Sequence, residues 1–207
     1  MTARQQAAVA AYHHLIRQPP LRDCLPTLAG TFPLGLDVES SDLDVICHTE
    51  NPTRFTNRLS TAFGRHPGFR VRVRNITGLP TVVAKFWYRG FPVEVFAQSR
   101  PAHRQRAVRH LNVERRLLGL GGKGLRDCVL DLKRLGFKTE PAFAQCLGLD
   151  GDPYQALLDL AGLGDAELRK LLSKIDRAGP LTRAAWPKSK AAEASSLGRD
   201  PGSTLGG

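Results

Sequence analysis

Two strand-like segments, residues 80–88 and 91–97, are separated only by Arg89 and Gly90. Both segments are rich in β-branched and aromatic residues, which are typical of strands. A two-residue connection that contains glycine is characteristic of a tight β-hairpin. The sequence therefore predicts an antiparallel strand pair in the first half of the chain.

Two further strands are predicted before this hairpin. Residues 43–48 and 69–76 have the same strand-like composition, and the strict alternation in FRVRVRN is typical of a half-exposed strand. A helix is expected between them, with an apolar face made by Phe55, Leu59 and Phe63. Another amphipathic helix is predicted at the start of the chain, capped by Thr2.

Only helices are predicted after residue 98. Apolar residues recur at helical spacing around residues 104–120 and in four later segments, which are 125–135, 140–147, 153–162 and 165–177. We interpret the glycine-rich GLGGKG at 119–124 as a turn between helices, because it follows a helix and lacks the spacing of a phosphate-binding loop.

This order of elements predicts an α+β fold, in which a mixed β-sheet with flanking helices is followed by a helical C-terminal lobe. We place the α+β core at residues 1–98, the helical lobe packed on it at 99–178, and a tail at 179–207. The tail is expected to be disordered, because Ala, Ser, Pro, Gly and Lys dominate it.

The chain is strongly basic, with 30 Lys and Arg against 19 Asp and Glu and a formal net charge of +11 over 207 residues. Such a charge favours polyanionic partners, such as nucleotides or nucleic acid. An ordinary solvated surface rich in arginine accounts for the same charge, and composition alone leaves both interpretations open.

The four cysteines, Cys24, Cys47, Cys128 and Cys146, show neither CxxC pairs nor histidines at zinc spacing. We therefore expect reduced and mostly buried thiols, as in a cytoplasmic protein. No stretch approaches the roughly 20 apolar residues of a membrane span, and the N-terminus lacks the apolar core of a signal peptide. No membrane partner is expected.

Two aspartates, Asp42 and Asp44, lie one residue apart at the start of a predicted strand and therefore point to the same side. Two neighbouring carboxylates repel each other unless they share a proton or bind a cation, and Mg²⁺ is held by such oxygen ligands. Glu94 is a third acid, on another strand. If the two strands are neighbours, the three carboxylates converge as in sites that hold metals about 3.5 to 4 Å apart.

Structural alternatives exist for each acid. Asp42 could cap the turn after Ser40 and Ser41, and Glu94 could be a charge on an edge strand that faces water. Both alternatives weaken when the acids are taken together with Gly30 and Thr31, which come about ten residues earlier and offer backbone amides and a hydroxyl to phosphate oxygens.

The pattern of Gly30-Thr31, Asp42-Leu43-Asp44-Val45 and Glu94 resembles the polymerase beta-type nucleotidyltransferase superfamily. With QRAVRHLNVERRLL and the segment from LKRLGFKTEPAF onward, the chain is similar, from about Ala10 to Leu172, to a bacterial domain family of unknown function in that superfamily. Thr31 and Pro33 depart from the usual pattern, since serine or glycine commonly follows the first glycine.

The resemblance implies a nucleotidyl-transfer core that uses Mg²⁺, as two ions, with a nucleoside triphosphate as substrate. Asp42 and Asp44 would ligate the metal, and Glu94 would complete the site or act as base. Apart from what the resemblance implies, we predict from the sequence that seven further residues bind the nucleotide: Gly30, Thr31, Ser41, Lys85, Arg109, Lys138 and Thr139.

Simpler interpretations accompany several of these residues. Arg109 and Lys85 could mark solvated faces, and Lys138 with Thr139 could cap a helix instead of holding a phosphate at its N-terminus. His110 and Glu114 could position a substrate group, although a surface ion pair is equally consistent with their spacing. We expect Trp87 and the aromatic residues near it to belong to the core.

The function predicted from the sequence is Mg²⁺-dependent transfer of a nucleoside monophosphate to a hydroxyl acceptor, which could be a small molecule, an RNA or a protein. A catalytically silent relative that binds nucleotide or RNA is the alternative. An unrelated α+β interaction protein is a third possibility, and it would require the aspartate pair to be a feature of a turn only.

Overall fold

The computed structural model describes residues 1–173, and the predicted tail at 179–207 lies outside this range. The chain divides into two compact units, Met1–Asn112 and the part from Val113 onward. The division falls inside one long helix, whereas the sequence places the boundary earlier, where the last strand ends. Each unit is described by itself below.

The first unit contains a five-stranded mixed sheet with the strand order β1-β2-β5-β4-β3. Its strands are β1 Thr27–Ala29, β2 Leu43–His48, β3 Arg70–Ile76, β4 Leu79–Tyr88 and β5 Phe91–Gln98. Neighbouring strands are antiparallel except β2 and β5, which run parallel. The sheet confirms the predicted α+β fold, and strands β2 to β5 lie where the sequence predicts them.

Two tight turns connect the last three strands of the sheet. Arg89 and Gly90 between β4 and β5 have φ values of 48° and 84°, and Thr77 and Gly78 between β3 and β4 have φ values of 51° and 81°. Two consecutive positive φ values are the mark of the hairpin turn whose twist matches the strands it joins. The predicted β4–β5 hairpin is therefore confirmed, and β3 joins β4 in the same way.

One face of the sheet is covered by two helices, α1 Ala3–Leu15 and α2 Pro52–Phe63. Thr2 begins α1 with a capping box, and Asn51 caps α2. The main core lies under these helices, where their apolar faces meet the alternate apolar residues of β2, β4 and β5. Phe55, Leu59 and Phe63 of α2 are all buried there, as the sequence predicts.

The opposite face of the sheet is covered only in part. Helix α3, Arg106–Arg134, begins above it, and Val108 packs there with Ile46 of β2 and Ala29 of β1. Phe96 of β5 packs against the same cluster. The part of this face that β3 and β4 form carries exposed polar side chains instead, so the two halves of one sheet face differ in character.

The second unit is helical over its described residues, 113–173. It contains the rest of α3, followed by α4 Thr139–Leu147, α5 Pro153–Asp159 and α6 Asp165–Leu172. The predicted break at Gly121 and Gly122 is confirmed as a sharp kink, because Gly122 has non-helical angles (φ 56°, ψ −142°) and separates two helical parts of α3. A Cβ atom on Gly121 would lie 2.9 Å from Leu172, so α6 packs closely against this part of α3.

Cys128 of α3 and Cys146 of α4 form a disulfide, with 6.1 Å between their Cα atoms. The expectation of four reduced thiols is therefore wrong for this pair, because helix packing brings together two cysteines that are 18 residues apart in the sequence. Cys24 and Cys47 are buried free thiols, as expected. Their mutual hydrogen bond, together with burial, raises the pKa of the Cys47 thiol.

Across residues 1–173, none of the helices is both long enough and apolar enough to cross a membrane.

Candidate metal and nucleotide site

Three carboxylates meet where β2 and β5 begin. In the parallel pairing of these strands, Asp44 lies directly opposite Glu94, and Asp42 precedes β2 on the same side. Each of Asp42, Asp44 and Glu94 offers a carboxylate oxygen, and these three oxygens all lie within 4.8 Å of one another. All three side chains are half-buried, so the cluster is accessible from solvent and yet held by the sheet.

The position of Glu94 excludes one of its alternative interpretations. β5 lies between β2 and β4 and is a central strand of the sheet, so Glu94 is not the charge on an edge strand that it could have been. Its side chain shares a face with Asp44 because residues paired across neighbouring strands point the same way. The structure thus brings together the acids that the sequence places fifty residues apart.

Gly30 lies against the Asp44 carboxylate. It follows β1, whose last residue Ala29 pairs with Asp44, and its backbone has φ +67°. A Cβ atom on Gly30 would lie 1.9 Å from Oδ2 of Asp44, far closer than any real contact. The positive φ favours glycine at residue 30, and the missing side chain leaves the space that the Asp44 carboxylate occupies.

Thr31 begins the short 3-10 turn Phe32–Leu34, in which Pro33 is accommodated. The Thr31 carbonyl accepts hydrogen bonds from the amides of Leu34 and Leu36, both at 3.1 Å. Thr31 is buried, with 7% of its surface exposed. The extra methyl group that distinguishes threonine from serine at this position is therefore packed, and Pro33 fits the turn without disturbing it.

The loop between this turn and β2 is closed by Ser41. Its hydroxyl accepts a hydrogen bond from the Val38 amide at 2.9 Å, and its own amide donates to the Val38 carbonyl at 2.9 Å. Ser41 is buried, with 7% exposed. These contacts hold Ser41, the residue directly before Asp42, in place. Ser41 therefore has a structural role in addition to its predicted contact with nucleotide.

Arg4 of α1 holds the same loop from outside. Its guanidinium donates to the carbonyl of Glu39 at 2.8 Å, and its Nε atom lies 3.9 Å from a carboxylate oxygen of Asp37. The guanidinium also stacks over the rings of Phe32 and Phe91, at 5.8 and 5.2 Å from their centroids. No sequence pattern points to Arg4, because nothing local to α1 shows what its side chain contacts.

Lys85 reaches the carboxylate cluster. It is paired with Glu94 in the β4–β5 ladder, and its Nζ atom lies 2.8 Å from Oε1 of Glu94. The Lys85 side chain is 44% exposed, whereas that of Glu94 is 15% exposed. Of the two interpretations of Lys85, the one that directs it toward the acids is the one the structure shows.

Two residues discussed in the sequence analysis, Arg109 and His110, lie at the start of α3. Arg109 is exposed. Gln105 directly precedes α3 and is buried. Its side-chain Nε2 donates to the carbonyls of Cys47 at 2.7 Å and Arg100 at 2.8 Å, so Gln105 has a structural role and connects the start of α3 to β2. His110 is buried as well, with 5% exposed, so the interpretation of His110 as part of a surface ion pair is wrong.

Two predicted nucleotide ligands lie in the second unit. Lys138 is the N-cap of α4 and is exposed, and no side-chain hydrogen bond caps the helix there. The hydroxyl of Thr139 accepts a hydrogen bond from the buried Lys133 at 3.2 Å. Their predicted contact with nucleotide stays a prediction, and the Thr139 hydroxyl has a structural partner within the unit.

The aromatic residues near Lys85 separate into two groups. Phe86, Tyr88 and Phe91 are buried in the core, as predicted. Trp87 is 51% exposed, so its assignment to the core is wrong. The reason is the alternation of β4: Phe86 and Tyr88 point to the face covered by α1 and α2, and Trp87 shares the other face with Lys85.

The donor set of the cluster suits a hard divalent cation. All three groups are carboxylates on one sheet face, and Mg²⁺ prefers oxygen ligands and is commonly held by one or two carboxylates beside substrate phosphates. Any side chain at residue 30 would collide with the Asp44 carboxylate, so the glycine keeps this ligand in its place. Asp42, Asp44 and Glu94 are therefore the residues that would hold the metal.

A mixed sheet with parallel β2 and β5, and with flanking helices, is the polymerase beta-type nucleotidyltransferase fold, and comparison with solved structures agrees. The structure of the Cid1 RNA terminal uridylyl transferase aligns over 71% of this chain and 47% of its own, with 14% identity and a TM-score of 0.50. A GLD-2/RNP-8 complex structure aligns over 94% of this chain and 76% of its own, with 13% identity and a TM-score of 0.48. At 14% identity the Cid1 similarity concerns the fold alone, and the GLD-2 similarity, with a TM-score below 0.5, supports no conclusion.

The chain belongs to the family described as Domain of unknown function (DUF4269), which matches residues 11–160. It spans about half the length of the Cid1 structure. No curated protein matches it significantly.

Proposed function

We propose that this protein is a nucleotidyltransferase that uses Mg²⁺ to move a nucleoside monophosphate from a nucleoside triphosphate to a hydroxyl acceptor. The observation that carries the proposal is the convergence of the oxygens of Asp42, Asp44 and Glu94 within 4.8 Å on one face of a nucleotidyltransferase fold. Like charges held this close repel each other unless a cation or a proton compensates them.

The chemistry of the transfer is a displacement at phosphorus. The acceptor oxygen forms a bond to the α-phosphorus, the bond from that phosphorus to the bridging oxygen breaks, and pyrophosphate leaves with the electron pair. The hydroxyl proton passes to a carboxylate oxygen of Glu94 and then to solvent. Bound divalent cations would neutralise the triphosphate and stabilise the leaving group.

The residues around the acids have distinct parts in this proposal. Asp42 and Asp44 hold the metal, and Gly30 leaves the space that the Asp44 carboxylate occupies. Backbone amides at Gly30 and Thr31 would bind phosphate oxygens. Lys85, which contacts Glu94 at 2.8 Å, supplies a positive charge that can turn from Glu94 to a phosphate oxygen when nucleotide arrives. Ser41 and Arg109 are proposed to bind nucleotide, as are Lys138 and Thr139 of the second unit.

The Lys85–Glu94 ion pair also favours a second candidate function. Because Lys85 already compensates Glu94, the cluster has a partner without any metal, as expected of a silent relative that binds nucleotide or RNA through its basic surface. Such a protein would bind nucleoside triphosphate and would not release pyrophosphate.

The test is incubation of the full chain with each labelled nucleoside triphosphate, Mg²⁺ and a panel of hydroxyl acceptors, with pyrophosphate release as the measurement. We expect release by the wild-type chain and none by the Asp42→Ala, Asp44→Ala double variant. Equal release by both chains would overturn the metal site. Nucleotide binding without release by the wild type would establish the silent relative instead.

A further inference from the structure

A basic strip lies on the sheet face that carries the three acids. Its members alternate along β3 and β4: Arg70, Arg72 and Arg74 on β3, and Lys85 and Trp87 on β4. Alternate residues of a strand point to one face, and the register pairs Arg70 with Lys85 and Lys85 with Glu94. The strip is therefore on the same face as Glu94 and continues outward from it.

This strip is open to solvent. All three arginines are exposed, Lys85 is 44% exposed and Trp87 is 51% exposed. Within residues 1–173, neither Arg70 nor Arg72 takes part in an ion pair. Two uncompensated guanidinium groups on one strand form a local positive field to which an anion is attracted.

The dimensions of the strip match a chain of phosphates better than a single phosphate. Side chains two residues apart on a strand are about 6.6 to 6.8 Å apart, so the three arginines span two such intervals along β3. Arg70 lies two strands from Glu94, about 10 Å away at the backbone, since neighbouring strands are about 4.8 Å apart. A polynucleotide that lies along β3 can therefore place its end at the acids.

Trp87 adds a flat apolar surface to the strip. It lies next to the Lys85 position on the same face, and its backbone amide donates to the Pro67 carbonyl at 2.8 Å. Gly68 is beneath its ring, because a Cβ atom there would lie 3.4 Å from the indole. An exposed aromatic ring beside a basic groove is the arrangement on which unpaired bases stack.

We propose that the strip formed by Arg70, Arg72, Arg74, Lys85 and Trp87 binds a single-stranded polynucleotide and presents its terminal hydroxyl to the carboxylate cluster. This inference rests on the proposed nucleotidyl transfer and names its acceptor class. The arginines neutralise successive phosphates, Trp87 stacks on a base near the end of the strand, and the end reaches Glu94 past Lys85. The reaction itself is the displacement described above.

The edge position of β3 offers a simpler explanation, because charged residues on edge strands prevent sheets from pairing with one another. That function needs charge alone, and it gives no reason for an exposed tryptophan beside the charges. The two explanations therefore differ in whether Trp87 contributes to binding of a polynucleotide. They also differ in whether the charges of the strip contribute more to that binding than charges elsewhere on the first unit.

The test is fluorescence anisotropy of a labelled single strand of about 15 nucleotides, as RNA and as DNA of one sequence, titrated with the full chain at several salt concentrations. We expect Arg70→Ala with Arg72→Ala to weaken binding at least about tenfold and to lower the salt slope by about 1.4, or roughly 0.7 for each phosphate contact. Trp87→Ala should weaken binding roughly tenfold, and Trp87→Phe should restore most of it.

The matched control is Arg54→Ala with Arg65→Ala, which removes the same charge in and just after α2, on the other side of the sheet. Equal weakening by the control pair, full binding by Trp87→Ala, or equal affinity for polyglutamate labelled in the same way would each overturn the proposal. The stronger of the RNA and DNA titrations identifies the polynucleotide, and either one supports the proposal.

Failure of this inference can be told from failure of the nucleotidyl transfer, because binding of the strand needs no reaction. Pyrophosphate release with a small hydroxyl acceptor, without binding of either strand, would overturn the polynucleotide acceptor only. Strand binding that depends on the strip, without binding of Mg²⁺ and nucleoside triphosphate, would overturn the transfer reaction and leave the strip as a binding surface.

Discussion

At the scale of single residues, the absence of a side chain at Gly30 determines whether Asp44 can keep its place. The Gly30 backbone has φ +67°, and the space where a Cβ atom would lie is filled by Oδ2 of Asp44. We expect Gly30→Ala to displace the Asp44 carboxylate and to weaken Mg²⁺-dependent nucleotide binding at least about tenfold, as loss of a supporting contact does at other metal sites. Isothermal titration measures this.

Gly78→Ala is the control for backbone strain. Gly78 also has a positive φ of +81°, but nothing lies within 4 Å of the position of its Cβ atom. Both variants should lose about 1 kcal/mol or more of stability from the strained backbone. Only Gly30→Ala should lose nucleotide binding, and equal loss in both variants would show that the contact with Asp44 is irrelevant.

At the proposed metal site, Lys85 would compete with the cation for Glu94. Because the ion pair of 2.8 Å must be shared or broken when a cation binds, Lys85→Met should raise the affinity for Mn²⁺ alone, without nucleotide. The pair is partly exposed and worth about 1 kcal/mol or less, so the increase should be a few-fold. Calorimetric titration with Mn²⁺ measures it.

Lys123→Met provides the comparison, because it removes a lysine paired with Asp127 in the second unit. This variant should bind Mn²⁺ as the wild type does. Unchanged or weaker Mn²⁺ binding by Lys85→Met would show that Lys85 does not compete for the carboxylates.

At the scale of elements, the N-terminal turn of α1 secures the loop that leads into β2. Arg4 donates to the Glu39 carbonyl and stacks on Phe32 and Phe91. Hydrogen bonds from a charged group contribute about 1.5 to 3 kcal/mol, and cation–π contacts about 0.5 to 1 kcal/mol. We expect Arg4→Ala to lower the free energy of unfolding by about 1 to 3 kcal/mol and to weaken nucleotide binding.

Urea denaturation and nucleotide titration measure the two effects of Arg4→Ala. Arg54→Ala, an exposed arginine at the start of α2, should change neither. Stability lost without any loss of nucleotide affinity would show that the loop keeps its position without Arg4.

In the second unit, the disulfide between α3 and α4 adds a covalent link. A loop closed over about 15 residues contributes about 3 kcal/mol in the chain-entropy account, and this loop spans 18 residues. The Cys128→Ser, Cys146→Ser variant should therefore melt at a lower temperature than the oxidised chain. Reductant should lower the melting temperature of the wild type and leave the variant unchanged.

The Cys24→Ser variant serves as control, because Cys24 is a buried free thiol. It should keep its sensitivity to reductant. An oxidised wild-type chain that melts at the same temperature with and without reductant would contradict a stabilising role of the disulfide.

The elements themselves show what a sequence can predict. Strands β2 to β5, α1 and α2 follow from alternation, helical periodicity and caps, which are local signals. β1 is only three residues long, Thr27–Ala29, and carries no periodicity, so it was not predicted, although it positions Gly30. The disulfide was missed for a related reason, since it depends on helix packing that no local pattern contains.

At the scale of the whole molecule, the sequence named the three acids, but their meeting depended on strand order. Asp44 and Glu94 are neighbours because β5, the last strand within residues 1–173, inserts between β2 and β4 and runs parallel to β2. Sequence patterns do not encode that crossover. The same topology determines that Lys85 reaches Glu94 and that Trp87 is exposed. The sequence leaves the direction of Lys85 open, and it wrongly predicts that Trp87 is in the core.

At this scale, part of the net charge of +11 can be assigned to one surface of the protein. Part of this positive charge lies along β3, on the sheet face that carries the three acids. A negatively charged substrate would therefore meet positive charge next to the acidic cluster. The positive field would attract the proposed polynucleotide, and the acids beside the strip would need a divalent cation before phosphates could approach them.

The central claim is that the three carboxylates form a divalent-metal site for a nucleoside triphosphate. The most direct test is calorimetric titration of Mn²⁺ into the full chain, with a non-hydrolysable nucleoside triphosphate present. We predict saturable uptake by the wild type and at least about tenfold weaker uptake by Asp44→Asn, while Glu50→Gln, an exposed acid of the same unit, binds as the wild type does. Equal Mn²⁺ uptake by wild type and Asp44→Asn would contradict the account.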